Sequence, residues 1–252
     1  MGALPHIAAR NRIFHLKLTN VMNEENHSVK ETASSVPMEF SGIDGQAIWL
    51  ALAQTPGIGI SITDENGQLL FVNNTSLVLF SGSADIDYHG KTIADFHPPE
   101  YVAERLKLIR LVLAENRPVR VRHVYHGKSI TSTVWPLPET ASKRHRVLVV
   151  SQSGPDQQID DLIPNTIETF PTDYIDLGPL NVLSRRELEV LVLLGHGLTI
   201  PETAKLLHRS PKTIERHKES IGRKLALKRQ SDLVELVTSV GLQLTDTKLK
   251  RY

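Results

Sequence analysis

Between His208 and Gln230 the chain carries eight cations (Arg209, Lys212, Arg216, Lys218, Arg223, Lys224, Lys228 and Arg229) against two acids, Glu215 and Glu219. Taken at 100° per residue, the stretch that begins at Ser210 sorts into two faces. Ile214, His217, Ile221 and Leu225 share one narrow stripe. Lys212, Arg216, Glu219, Ser220 and Arg223 lie opposite, with Glu215 on one flank and Thr213 on the other. The chemistry open to such a face is recognition of a polyanion. Guanidinium and ammonium groups neutralise phosphates, and Arg, Lys, Glu, Ser and Thr also match the donor and acceptor edges of bases. Most charged helix faces are merely solvated, but here the charge coincides with helix caps and a tight turn that agree with one another.

The elements that must position this face are four short helices. Ser184 and Glu187 form an S-x-x-E capping box ahead of Leu188, Leu191 and Leu194, and Gly195 and Gly197 stop that helix. Thr199 and Glu202 form a second box, with Pro201 tolerated in the first turn. Ser210 and Pro211 supply the N-cap and first position of the third helix. Ser231 to Val240 makes a fourth helix, whose Leu233, Leu236, Val237 and Val240 carry more apolar surface than a small three-helix core consumes. Two helices joined by a tight turn, the second of them basic, are the layout of a helix-turn-helix that enters the DNA major groove.

These residues resemble the LuxR/FixJ-type DNA-binding domain. The resemblance is carried by Leu183-Ser184-Arg185-Arg186-Glu187, Gly197-Leu198-Thr199, Ser210-Pro211-Lys212-Thr213-Ile214-Glu215-Arg216-His217 and Lys224-Leu225. Two positions depart from the common pattern: Glu215 stands where many members have Lys, and Pro201 where a polar residue is usual. The resemblance implies double-stranded DNA as a partner, and pairing of the fourth helix with that of a second copy across a two-fold axis. Lys212, Glu215 and Arg216 are expected at bases, with Thr213, Lys218, Arg223 and Lys224 mainly on phosphates.

At 252 residues the chain has room for two domains, and its formal net charge of +1 conceals an uneven distribution. From Ser151 to Val182 there are six acids (Asp156, Asp160, Asp161, Glu168, Asp173 and Asp176) and no Lys or Arg. That stretch reads as an acidic linker over 154–178. Its charge opposes that of the basic helix, so it is a candidate cover for the DNA-reading face. Cysteine is absent, which excludes disulfides, thiolate metal sites and a cysteine nucleophile. No apolar run is long enough to span a bilayer and no signal peptide is visible, so a cytoplasmic protein without membrane contact is expected. Residues 1–42 read as a poorly organised tail or a start-site artefact, with Met22 an alternative start.

From Gln46 to Ser153 the pattern is mixed. Ala47–Ala53 predicts a short helix, Ile58–Thr63 and Gln68–Asn73 a hairpin, and Asn74–Phe80 a short helix. Pro99–Glu115 predicts a longer helix with Val102, Leu106, Ile109 and Leu113 on one face, followed by strands at Val119–Tyr125, Ser129–Pro136 and Val147–Gln152. The fold class is therefore α+β: an antiparallel five-stranded sheet with helices on one face over 43–153, then an all-α four-helix domain over 179–245 and a tail over 246–252. The first of these resembles a PAS domain, on Gly59-Ile60-Ser61-Ile62-Thr63-Asp64-Glu65-Asn66-Gly67, Leu70-Phe71-Val72-Asn73, Gly90-Lys91-Thr92 and His97-Pro98-Pro99-Glu100. That resemblance implies a sensory or dimerising input that takes a small ligand or cofactor, whose identity stays unknown.

A flavin adduct would need a cysteine, and haem would need a histidine on the long helix or its loop. His97 is nearest, but it is expected to cap or turn the chain, and His89, His123 and His126 are expected at the surface. Gly57-Ile58-Gly59 opens a strand and is no nucleotide loop. No nucleophile elbow, phosphate loop or paired catalytic acids are visible, so the chain is not expected to be an enzyme. Two readings stand. One is a one-component transcription regulator, with RNA polymerase as a further partner. The other is a PAS-containing adaptor whose helix-turn-helix no longer reads DNA.

Overall fold

A computed structural model describes residues 44–137, 145–154 and 167–251; the tail expected at 1–42 lies outside the described residues. The chain enters through α1 (Gly45–Gln54), whose N-cap Asp44 accepts from Gln46 N. It then forms the hairpin β1 (Gly59–Asp64) and β2 (Leu69–Val72), the short helix α2 (Asn74–Ser81) and the long helix α3 (Pro99–Glu115). Three antiparallel strands complete the first domain: β3 (Val119–Tyr125), β4 (Lys128–Leu137) and β5 (Arg146–Ser153). Asn73 ties the N-terminal pieces together. Its amide oxygen accepts from Ile60 N at 2.8 Å and caps α2 through Ser76 N at 2.9 Å, while its nitrogen donates to the carbonyls of Ala53 and Ile58.

The five expected strands are present, and a sixth joins them. The sheet order is β2-β1-β5-β4-β3-β6, with β6 (Glu168–Phe170) running parallel to β3. That corrects the expected linker over 154–178. Within its described part Glu168 pairs with Arg117 at 2.6 Å and β6 extends the sheet. Further on, β7 (Tyr174–Ile175) pairs in parallel with β8 (Lys250–Arg251). The expected tail over 246–252 is likewise structured, since a 3₁₀ turn spans Leu244–Lys248 with Asp246 and Thr247 buried, and β8 follows. Short polar segments were misread because their partners are distant in sequence: backbone pairing across two domains leaves no local periodicity.

The helical domain holds α4 (Arg185–Gly195), α5 (Ile200–Leu206), α6 (Pro211–Leu225) and α7 (Gln230–Val240). Ser184, Thr199 and Ser210 cap the first three, and the two expected capping boxes with Glu187 and Glu202 are formed. One apolar cluster fills its interior: Leu188, Leu191, Leu194, Ile214, Ile221, Leu233, Val237 and Val240. The same cluster takes in Ile175, Leu177 and Leu180 from the connector and Val124 from β3. Both domains fall within one compact unit. The α7 side chains expected to face a second copy, Leu233, Val237 and Val240, are buried in their own core, and Leu236 packs against it; Val234 is the large apolar residue that α7 exposes.

Where the two domains meet, backbone touches backbone. Gly127 N donates to the Asp176 carbonyl at 2.9 Å and Asp176 N to the Val124 carbonyl at 3.1 Å. The Asp176 carboxylate accepts from His126 N and Gly178 N. Gly127 and Gly178 sit back to back with φ of +72° and +49°; a Cβ on Gly127 would lie 2.7 Å from the Leu177 carbonyl oxygen. Left-handed backbone and backbone contact together leave room for no side chain. Gly127→Ala should therefore cost roughly 1–3 kcal/mol of stability in urea unfolding of the full chain. An unchanged unfolding free energy would show that the junction is not tightly fitted.

Candidate functional site

α6 presents the basic face that its sequence spacing implies. Ile214 and Ile221 are fully buried, while Lys212, Glu215, Arg216, Glu219 and Arg223 are exposed and Lys218 is half-buried. The N-cap Ser210 Oγ accepts from Thr213 N at 3.2 Å and lies 2.8 Å from the Thr213 hydroxyl, so Thr213 is held at the helix start. Its position suits a phosphate contact with the first turn.

Two residues expected on the outer face bond to α4 instead. Lys224 Nζ donates to Glu187 Oε2 at 2.7 Å and to the Val182 carbonyl at 3.1 Å. Ser220 Oγ donates to Glu187 Oε1 at 2.7 Å. Glu187, buried on α4, also closes the Ser184 capping box. Lys224, expected on phosphate, is exposed and also neutralises the carboxylate that locks α4 to α6. Burial works against that carboxylate, but hydrogen bonds from Lys224, Ser220 and Ser184 outweigh it and hold its pKa down at about 2. The described linker acids do not cover the basic face. Glu168 and Asp176 pair with Arg117 and His126 of the first domain, and the Asp173 carbonyl accepts from Lys250 N.

A second site lies inside the first domain, between α3 and the sheet. It is a cavity of about 100 Å³ with a mainly apolar wall that includes Leu77, Phe80, Leu108, Ile109 and Val121. The polar side chains on it are Thr63, His97, Tyr101, Arg105, His123 and several serines. Arg105 stacks its guanidinium 4.9 Å over the Tyr101 ring and donates through Nη2 to Glu104. Phe80 stacks on His123 with centroids 5.8 Å apart. His97 is 2.6 Å from the Tyr125 hydroxyl through Nδ1, so it is a member of the cavity wall and not a simple turn residue.

His123, expected at the surface, is 3% exposed. Burial, reinforced by the neighbouring His126 and the Arg105 guanidinium, lowers the His97 pKa to about 4. Burial also lowers that of His123 well below the usual range, with Arg105 and Arg122 adding to the effect. Both rings are neutral at physiological pH. Sequence reasoning also missed Arg105, because the expected α3 face counted apolar residues alone. The buried face is Tyr101, Arg105, Leu108, Ile109 and Val112, with Val102, Leu106 and Leu113 only partly covered. The signal was present in Tyr101, Arg105 and Ile109 at i, i+4, i+8, a polar residue in the phase of the core.

Comparison with known proteins now bears on both sites. Residues 181–237 match the model for bacterial regulatory proteins of the luxR family, and residues 54–153 match that of the PAS fold. The chain carries a PAS domain followed by a LuxR-family DNA-binding domain. Within the latter, 57 residues are 47% identical to the oxygen regulatory protein NreC of Staphylococcus aureus. That match covers 23% of this chain and 26% of NreC, so the chain spans about a quarter of the relative's length. A crystal structure of a VqmA–ligand–DNA complex from Vibrio cholerae overlays on 82% of this chain and 94% of its own, at 20% identity and a TM-score of 0.46. The PAS domain of Bordetella pertussis BvgS overlays on 46% of this chain and 94% of its own, at 19% identity and a TM-score of 0.37. Among the described residues of the PAS and LuxR-family domains no three His, Asp or Glu side chains converge into a metal site, and no helix is long and apolar enough to cross a membrane.

Glu187 gives the LuxR-family domain a pH signature. Its folded pKa lies below the ordinary value of 4.5, so ionisation favours the folded state. That contribution is full above the ordinary value and is lost as pH falls through the folded one. Glu187→Gln should cost about 1–3 kcal/mol at neutral pH, and the gap from the parent should close as pH is lowered from about 4.5 to about 2. A gap that stays constant across that range would mean that the charge on Glu187 contributes nothing.

Proposed function

We propose that this chain is a one-component, sequence-specific transcription regulator that acts in the cytoplasm, its PAS domain serving as a sensory or dimerising input. The observation that carries the reading is the capped helix α6, with Lys212, Glu215, Arg216 and Arg223 exposed together inside a segment that matches the luxR family. In this reading Lys212, Glu215 and Arg216 meet base edges, while Thr213, Lys218 and Arg223 meet phosphates. Lys224, exposed on the same helix, joins the phosphate contacts while its ion pair with Glu187 steadies α6. Its partners are double-stranded DNA, RNA polymerase and a second copy of the chain. The apolar helix α1 supports a homodimer, since it buries no residue of its own and leaves Leu50 and Leu52 exposed.

The cavity, with its apolar wall and a few polar groups, supports a small-molecule ligand in the PAS domain. The alternative, an adaptor that has lost DNA reading, leaves this exposed basic face without a partner.

The test is base preference. A carboxylate can accept from cytosine N4 but cannot bind guanine O6 or N7. Glu215→Lys should therefore shift one position of the selected site from cytosine toward guanine, a change of roughly 1–3 kcal/mol at that base pair. Binding-site selection with both proteins decides it: identical motifs would remove Glu215 from the readers. Absence of sequence-specific binding in a gel shift with the full chain would favour the adaptor.

A further inference from the structure

Two pairs of adjacent residues stand back to back between the cavity and the DNA-binding domain. On α3, Arg105 lines the cavity and Glu104 faces the connector. Glu104 Oε1 accepts from Arg105 Nη2 at 2.8 Å and from the Thr172 hydroxyl at 2.6 Å, and Oε2 accepts from Asp173 N at 2.9 Å. The Asp173 carbonyl in turn takes the amide of Lys250, where β8 begins. On β3, His123 lines the cavity and Arg122, on the opposite face of the strand, reaches past α7. Its guanidinium donates to both oxygens of the buried Asp246, at 2.8 and 3.0 Å, and to the Gly241 carbonyl at 2.7 Å.

The inner member of each pair is chemically unfinished. Arg105 is 8% exposed and His123 3%. Arg105 Nε and Nη1, both His123 ring nitrogens and Thr63 Oγ1 are buried without a hydrogen-bond partner. Buried polar groups are paired almost everywhere in folded proteins. Several orphans on one cavity wall, most of them donors, point to an acceptor supplied from outside the chain. The rest of the wall is apolar and aromatic, and the volume suits a body about the size of one ring.

We propose that the cavity binds a small, ring-sized molecule bearing an acceptor oxygen, carbonyl or carboxylate, which Arg105 and His123 hold, and that Glu104 and Arg122 pass its occupancy to the DNA-binding domain. The proposal rests on the sensor reading of the PAS domain and names both its ligand class and its output route. An oxygen that engages Arg105 shares the guanidinium with Glu104 and so changes the anchoring of Thr172 and Asp173. The same ligand fixes His123 and thereby the strand from which Arg122 holds Asp246. Coupling of this kind is reciprocal, so DNA and ligand alter each other's affinity by the same factor.

The test uses the full chain with benzoate and benzamide as probes and toluene as the apolar control. Calorimetric titration should show benzoate, benzamide or both binding at least about ten-fold more tightly than toluene, and Arg105→Gln should abolish that preference. The benzoate-to-benzamide ratio separates a carboxylate ligand from a carbonyl one. Fluorescence anisotropy on a selected DNA site should then show the bound probe shifting the DNA dissociation constant at least about five-fold. Glu104→Gln and, separately, Thr172→Val should bind the probe and lose that shift.

Binding by neither probe, equal binding of toluene, or an indifferent Arg105→Gln overturns the ligand class. A bound probe that leaves DNA affinity unchanged, or a shift that survives both connector variants, overturns the route. A chain that binds no DNA at all sinks the regulator reading instead, while the probe titrations still decide the cavity.

Discussion

Strand β3 belongs to two interiors at once, and the rest of the architecture depends on it. Along a strand successive side chains point to opposite faces. Val119, Val121 and His123 therefore look toward α3 and the cavity, while Arg122 and Val124 look toward the helical domain. Val124 is part of the helical domain's own apolar cluster, and Arg122 holds Asp246 just beyond α7. A shift of one residue in the pairing of β3 with β4 would exchange these two sets. It would put an arginine into the cavity wall and strip an apolar residue from the second core. Register is fixed by seven consecutive pairs from Val119↔Val134 to Tyr125↔Lys128.

The connector completes what β3 begins. Ile175, Leu177 and Leu180 are buried in the helical core, and Asp176 satisfies the backbone of the β3–β4 turn. A segment rich in acids would ordinarily stay solvated. Here Glu168 and Asp176 have cationic or amide partners on the PAS side, and the three apolar residues beside Asp176 supply the burial that orders the chain. Glu168 and Asp176 thereby anchor the connector to the PAS domain.

Within the DNA-binding domain, charge has two different tasks. On the outside it serves recognition, and Lys212, Arg216 and Arg223 stay in water where long side chains keep their freedom. Against α4, Lys224, Ser220 and Ser184 all converge on one buried carboxylate, Glu187. A buried acid is tolerated when each of its oxygens is met. Glu187 consequently fixes the pitch of α6 against α4, and with it the direction in which the exposed face points.

The sequence by itself determined every helix of the DNA-binding domain, because caps and 3.6-residue periodicity are local: Ser184, Thr199, Ser210 and the stripe Ile214–Ile221 need no distant partner to be recognised. It also determined the five antiparallel strands, from alternation and turn residues. Only the tertiary structure decided which polar residues find partners or burial within the fold. Lys224 and Ser220 read as outer-face residues until α4 brings Glu187 against them. His123 reads as a surface group, and Arg105 carries no reading at all, until α3 lies over the sheet. β6, β7 and β8 carry too few residues for a period, and their pairing crosses many residues, up to the 76 between Tyr174 and Lys250 by numbering. Local pattern reports what a residue prefers when its neighbours in sequence are its neighbours in space. Burial of a charge is set by groups that arrive from elsewhere in the chain, and no window along the sequence contains them.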